Sequence, residues 1–431
     1  MTEEENVCHA VSSPRMALTW TTIAFFGGFA GVSAFGPIVS QLKQTMAMSP
    51  LLSGLLAASP ALTGSLLRIP FGAMVDRVGG KKPILTLLLL AAAGIGGIIL
   101  MSQQSAAPRP EDYPYFLVFG MLCGCGIAVF SVGVPTVSYW YPQRRQGAAL
   151  AVYAGLGNLA PGLFAILLPY MVVSLGLTRS YLLWLGMLVV LTALVFVFMK
   201  DAPYFQYREM GIEIDPEALF LTCGEELVPS GRAFASILKA AADWRTWCLT
   251  YFYFVSFGGV IALTVWLPTY WAERFRIDMI AAGTLTAAYS LSSSLLRVAG
   301  GHCSDRFGGE GTVLGAFVVT ATGALLMMAA GGSLAAAFSG QMILALGMGF
   351  ANAAVFKLVP KYSPASVGGA AGIVGGLGAF GGFAIPPLMA LFVKWHPEAG
   401  YARGFWVFLV LSAVAVLLFF ILHRHAPAKE A

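Results

Sequence analysis

Twelve stretches of this chain are apolar over the length needed to cross a hydrocarbon layer of roughly 30 Å. They cover residues 17–41, 51–75, 82–102, 114–140, 147–174, 180–199, 245–271, 279–302, 312–331, 334–358, 367–393 and 402–423. In lipid every backbone N–H and C=O must be paired internally, so such stretches fold as helices. The expected fold class is therefore an all-α membrane protein with twelve transmembrane helices in two six-helix bundles. Six stretches precede residue 200 and six follow residue 244, which divides the chain into an N-terminal bundle (1–200), a linker (201–244), and a C-terminal bundle with a short tail (245–431). The composition, 58% hydrophobic against 10% charged, excludes a soluble globular domain. Fifty glycines, many inside the apolar stretches, suit helices that approach closely in lipid.

A repeat ties the two halves together. Residues 65–80 read SLLRIPFGAMVDRVGG and residues 294–309 read SLLRVAGGHCSDRFGG. Ser, Leu, Leu, Arg, Gly, Asp, Arg, Gly and Gly recur at one constant offset, pairing Arg68 with Arg297 and Asp76 with Asp305. Duplication of this kind implies a two-half transporter whose binding site lies where the halves face each other. Eight residues separate Arg68 from Asp76. At about 1.5 Å rise per residue, the guanidinium sits roughly 12 Å inside the helix end, too deep for easy snorkelling. A buried arginine costs at least a few kcal/mol in a membrane, so it is expected to face a polar cavity and an anion. No intramembrane carboxylate is available to pair either arginine.

The first apolar stretch is too long for a signal-peptide core and follows an acidic start (Glu3, Glu4, Glu5), so it reads as a retained helix. An even number of spans puts both termini on one side. The excess of Lys and Arg, with Arg77, Lys81, Lys82, Arg144, Arg145 and Arg306 as markers, puts that side in the cytoplasm. The linker carries Asp201, Glu209, Glu213, Asp215, Glu217, Glu225 and Glu226 and reads as a tether with some surface helix, a regulatory site being the other possibility. The six cysteines (Cys8, Cys123, Cys125, Cys223, Cys248, Cys303) show no ligand spacing and read as small buried or cytoplasmic thiols. No nucleophile–base pair or metal-ligand cluster supports an enzyme, and no metal, cofactor or nucleic acid is expected.

The string G-x-x-x-D-R-x-G-G-K from Gly72 to Lys81 resembles the signature loop between helices 2 and 3 of the major facilitator superfamily, and Gly301–Gly309 is a weaker second copy. The resemblance implies two bundles that rock about a central site. It also implies a cytoplasmic latch made by Gly72, Asp76, Arg77, Asp305 and Arg306; the competing reading of the charged members is an ordinary solvated helix end. A narrower resemblance lies in AGLGNLAPG (Ala154–Gly162), GGAAGIVGGLGAFGG (Gly368–Gly382) and FKLVP (Phe356–Pro360), which look like motifs of the nitrate/nitrite porter family. Glycines at this spacing, among them Gly155, Gly157, Gly375, Gly376 and Gly378, make a smooth face for helix sliding, with plain packing as the alternative.

Carried over residue by residue, that resemblance makes Arg68 and Arg297 the two substrate-binding arginines, one per half. A planar fork of donors suits the oxygens of a flat anion such as nitrate or nitrite. Asn158 matches the family's asparagine in the fifth helix and is expected to donate its amide to the anion. Phe130, Tyr253 and Phe257 fall where the family walls its site with aromatic rings, although such rings also serve simply as packing. The chain departs from the family at Ala160 and Pro161, where a kink beside the site is expected, and at Ala379, where some members carry a second asparagine.

Alternating access of nitrate and nitrite by exchange is the leading expectation, because two facing arginines disfavour reorientation of an empty site. No Asp, Glu or His falls in the middle of a stretch, which ranks nitrate–proton symport second. His302 lies near a helix end. Lys357 reads as a snorkelling marker, with participation in coupling as the alternative. A carrier of another small organic anion, or a non-transporting sensor, completes the set of rivals. The expected partners are the anion and membrane lipid, the expected unit a monomer, and the expected site a bacterial inner (plasma) membrane.

Overall fold

The structure is a computed structural model that describes residues 12–104, 108–211, 233–397 and 399–425. Glu3, Glu4, Glu5 and Cys8, and the linker residues Glu213, Asp215, Glu217, Cys223, Glu225 and Glu226, lie outside the described residues. Among the described residues twelve helices have membrane-crossing length and hydropathy: α1 (Pro14–Ser33), α2 (Pro50–Val78), α3 (Lys81–Gln103), α4 (Pro110–Ser138), α5 (Arg145–Leu175), α6 (Leu177–Phe198), α7 (Trp244–Phe275), α8 (Met279–Phe307), α9 (Gly309–Ala329), α10 (Leu334–Tyr362), α11 (Val367–Trp395) and α12 (Gly400–Arg424). The chain is a multi-pass membrane protein. Between α6 and α7 the described residues of the polar segment form two short helices, Pro203–Glu209 and Ala233–Ala241.

Local chemistry sets the helix ends. Ser49, Asp278 and Ser333 each accept a backbone N–H in the first turn of α2, α8 and α10. The repeated Gly-Gly ends α2 and α8 in one way: Gly79 has φ 76° and Gly308 φ 81°. These left-handed values favour glycine and stop the helix. The repeat thus encodes a matching turn after each arginine helix.

Several helices break near mid-length. α2 is interrupted at Leu67, three residues before the lost donor at Pro70, so Arg68 opens a new helical segment. α5 breaks at Asn158–Leu159, before Pro161, as the sequence anticipates. α4 tightens to a 3-10 turn at Cys125–Ala128, and α7 widens to a π-turn at Phe254–Gly258. α11 breaks at Phe380. Interruptions of this kind at mid-membrane mark binding sites in two-half transporters.

The halves touch through α2 against α11 and α5 against α8. On the side away from the Gly79 turn, small residues permit this closure: a Cβ on Gly54 would lie 3.1 Å from that of Ala390, and one on Gly283 only 2.2 Å from the Ala165 carbonyl oxygen. There Lys43 Nζ also reaches Glu273 Oε1 at 3.3 Å and the Tyr401 hydroxyl at 3.5 Å, the one ion pair between the halves among the described residues. On the linker side the halves part. The molecule is therefore closed on one face and open on the other. Cys123, Cys125 and Cys248 are buried free thiols and Cys303 is a half-buried one.

Candidate functional site

A cavity of about 1680 Å³ runs from the linker-side face to mid-membrane, and its wall includes Arg68, Phe130, Arg297, Asp76, His302 and Asp305. Arg68 is only 1% exposed. Its Nη1 donates to the Gly375 carbonyl at 2.9 Å, a bond across the two halves. The guanidinium carbon lies 5.0 Å from the Phe130 ring centre and 5.1 Å from that of Phe257. Those rings come from different halves and stack on each other at 6.3 Å. Two rings hold the charged plane by cation–π attraction while leaving its edge free.

That edge has unused capacity. Nε and Nη2 of Arg68 and Nη1 of Arg297 are buried with no hydrogen-bond partner in the protein. No carboxylate pairs with either guanidinium among the described residues. The two arginines lie within electrostatic reach of each other. A buried guanidinium facing a half-buried one of the same sign, with neither paired to an acid and buried donors left free on both, makes a site that is electrostatically complete only when an anion enters.

Tyr253 is fully buried, stacks on Phe257 at 5.0 Å, and meets Phe356 edge-on at 4.9 Å. Its hydroxyl lies beside Arg297 without a well-formed bond to any acceptor. Asn158 is placed differently from its sequence reading. Its Nδ2 donates to the Ala154 carbonyl at 2.7 Å, an oxygen that also accepts the backbone N–H of Asn158 at 3.1 Å, and the residue stands behind Arg297 instead of on the main cavity. An amide turned toward its own helix has less to offer an anion.

The glycines separate into two groups. A Cβ on Gly376 would lie 2.9 Å from Ile69, one on Gly378 2.7 Å from that of Tyr253, and one on Gly157 1.9 Å from the Phe25 ring. Gly155 has no neighbour within reach, and Gly375 meets only Phe356, at 3.6 Å. The first group lets helices touch; the second leaves room in the cavity and exposes the Gly375 carbonyl to Arg68.

At the cavity mouth the contacts of the repeated loops stay within their own half or reach the adjoining linker. Asp76 accepts from the Tyr139 hydroxyl, and Asp305 pairs with Lys357 at 2.5 Å. Arg208 of the short linker helix donates to the Arg77 carbonyl at 3.1 Å. Arg306 stacks over Phe307, and Gly72 approaches Ser131. In this open-mouthed state no latch joins the halves there among the described residues. Lys357 is thus an ion-pair partner as well as a basic residue near a helix end.

Sequence reading did not single out Phe356 as a wall, nor the polar pair Ser293 and Asn352, both buried beside Arg297. Asn352 carries the same signal that drew attention to Asn158, an amide inside an apolar stretch.

The sequence pattern described as Major Facilitator Superfamily matches residues 21–283 and 249–431. A "Probable nitrate/nitrite antiporter NarK1" of Thermus thermophilus is 30% identical over 425 residues, covering 94% of this chain and 90% of that protein. A "Probable nitrate/nitrite transporter NarK2" of Mycobacterium tuberculosis is 29% identical, covering 96% of each. Among solved structures, the xylose transporter XylE from E. coli, partially occluded and inward open, superimposes with a TM-score of 0.72 at 13% identity over 97% of this chain and 99% of that one. That likeness concerns the fold alone. With the family pattern matched from residue 21 to residue 431, twelve helices and a relative aligned along nearly its whole length, the chain belongs to the major facilitator superfamily, within its nitrate/nitrite porter family.

Proposed function

We propose that this chain carries nitrate and nitrite across the membrane by alternating access, exchanging one for the other. It is a transporter and not an enzyme. The reading is carried by one observation: two uncompensated guanidinium groups, one from each half, with buried donors that nothing in the protein occupies. Arg68 and Arg297 would grip the anion, Phe130, Phe257 and Tyr253 would wall it, and Asn158 would support the site from behind. A planar anion of one negative charge offers oxygens on opposite edges, so both forks can engage it at once.

Bound anion offsets the repulsion between the arginines and draws the halves together. An empty site keeps that repulsion, which disfavours return without cargo and favours exchange. In this scheme residues 1–200 and 245–431 are the moving bundles and 201–244 the tether. Gly72, Asp76, Arg77, Asp305 and Arg306 form the latch when the linker side closes, and Gly155, Gly157, Gly375, Gly376 and Gly378 accommodate the sliding of α5 and α11. The termini and the open mouth lie on the cytoplasmic face of a bacterial inner membrane, and the monomer is the transporting unit. The names of the relatives, which print nitrate and nitrite, support the choice of cargo.

Uptake of labelled nitrate by proteoliposomes tests this. Rapid uptake with internal nitrite and little without it is expected; an equal rate without any internal anion refutes exchange. Nitrate–proton symport is the second reading, favoured by Asp76 and His302, titratable groups that face the cavity although they sit near helix ends. A pH jump that drives nitrate accumulation without a counter-anion would establish it instead.

A further inference from the structure

Arg297 also lines a second, much smaller chamber of about 20 Å³ on the side of the site away from the cavity mouth. Asn158 of α5, Ser293 of α8 and Asn352 of α10 line it too, under the Phe29 and Phe257 rings. These polar residues are 6%, 1% and 3% exposed, so bulk water does not satisfy them. Four of their atoms lack a partner in the protein: Arg297 Nη1 and Ser293 Oγ, which donate, and Asn158 Oδ1 and Asn352 Oδ1, which accept. The Asn158 assignment is anchored, because its Nδ2 is held by the Ala154 carbonyl.

Two donors and two acceptors around one small space match one water molecule, which offers two hydrogens and two lone pairs. The volume agrees, since a water needs about 10–15 Å³ of such space and the four heavy atoms of nitrate need far more. We propose that this chamber holds one ordered water that bridges Asn158 of the first half to Asn352, Ser293 and Arg297 of the second. Asn352 is then a positioning residue. Through the water it holds one N–H of Arg297 Nη1, so that the second N–H of that nitrogen is left for the cargo. The same bridge ties α5 to α8 and α10, alongside the direct bond from Ser294 Oγ to the Asn158 carbonyl at 3.1 Å. Opening the opposite face must break it.

The role of Asn352 in transport rests on the anion-carrier reading above; the water site does not. An experimental map of the protein at a resolution that shows waters should contain a single peak within hydrogen-bond distance of the four atoms. No peak, or density shaped like the anion, overturns the site. In exchange assays Asn352→Leu, which fills the chamber with carbon, should raise KM for nitrate about fivefold, as expected for loss of one hydrogen bond, with maximal rate within about twofold. Asn352→Ser, which keeps an acceptor, should restore KM to within about twofold of the parent. Ser293→Ala, small enough to fold where Asn352→Leu fails, should raise KM about threefold. Unchanged KM in Asn352→Leu and Ser293→Ala, or an equal rise in Asn352→Leu and Asn352→Ser, overturns the positioning role. If the parent protein carries neither anion, the transport reading falls, and the map alone decides the water site.

Discussion

Replacing Arg68 with lysine separates charge from geometry. The guanidinium uses one N–H on the Gly375 carbonyl and keeps Nε and Nη2 buried and free for cargo. A hydrogen bond to a charged group contributes about 1.5–3 kcal/mol, and an ammonium of shorter reach can replace only one of the two. The flat contact with Phe130 and Phe257 adds roughly 0.5–1 kcal/mol that a lysine keeps only in part. The expected loss is about 3 kcal/mol, or roughly a hundredfold in affinity. It should appear as a large rise in KM for nitrate in proteoliposomes loaded with nitrite, while melting in detergent shows that Arg68→Lys is folded. A KM within about threefold of the parent would refute the claim that a planar fork reads the anion, and would leave Arg68 only a long-range charge.

Other outcomes follow from particular contacts. Lys43→Met should loosen the closed face; a partly exposed pair contributes at most about 1 kcal/mol, so spin-label distances across that face should shift by up to about fivefold in population toward the separated form. Gly378→Ala places a Cβ where only 2.7 Å separates it from that of Tyr253, and overpacking of about 1–3 kcal/mol should lower melting temperature and transport together. Asp201, beyond the end of α6, accepts from the backbone N–H groups of Gly80 and Lys81 at 2.6 and 2.9 Å, yet burial holds its carboxyl above the usual carboxylate range. Its folded form binds the proton more readily than the unfolded form, so this contribution to stability is fully present in acid and is lost as pH rises through the folded value. Asp201→Asn should therefore melt at or above the parent temperature at neutral pH and lose that advantage on acidification, whereas Asp201→Ala, which removes the cap, should cost about 1 kcal/mol at either pH.

Much of the fold was legible because lipid allows so few solutions. Apolar length specified the spans, the repeated Arg, Asp and Gly-Gly specified two related halves, and Pro161 announced the break in α5. The positions of Arg68 and Arg297 followed from the cost of burying charge. Less legible were features that depend on the neighbouring helix. The π-turn at Phe254–Gly258 lets α7 approach α11, where a Cβ on Gly258 would lie 2.7 Å from the Gly378 carbonyl oxygen; no local pattern announces it. Asn158 looked like a ligand in one dimension, but in the fold its amide bonds back to the Ala154 carbonyl one turn earlier.

By itself, then, the sequence determined an all-helical membrane protein built twice over, with one deep arginine per half and no acid to neutralise it. Those conclusions come from transfer free energies, which act on each segment alone. Only the tertiary structure decided that both guanidinium groups meet at one cavity, that the rings of Phe130 and Phe257 both flank one of them, and that the face away from the linker is shut by Lys43 and Glu273 while the charged residues of the two repeated loops stay apart. Those are properties of distances between helices far apart in the chain, set by which small residues let two backbones touch and which side chains hold them apart.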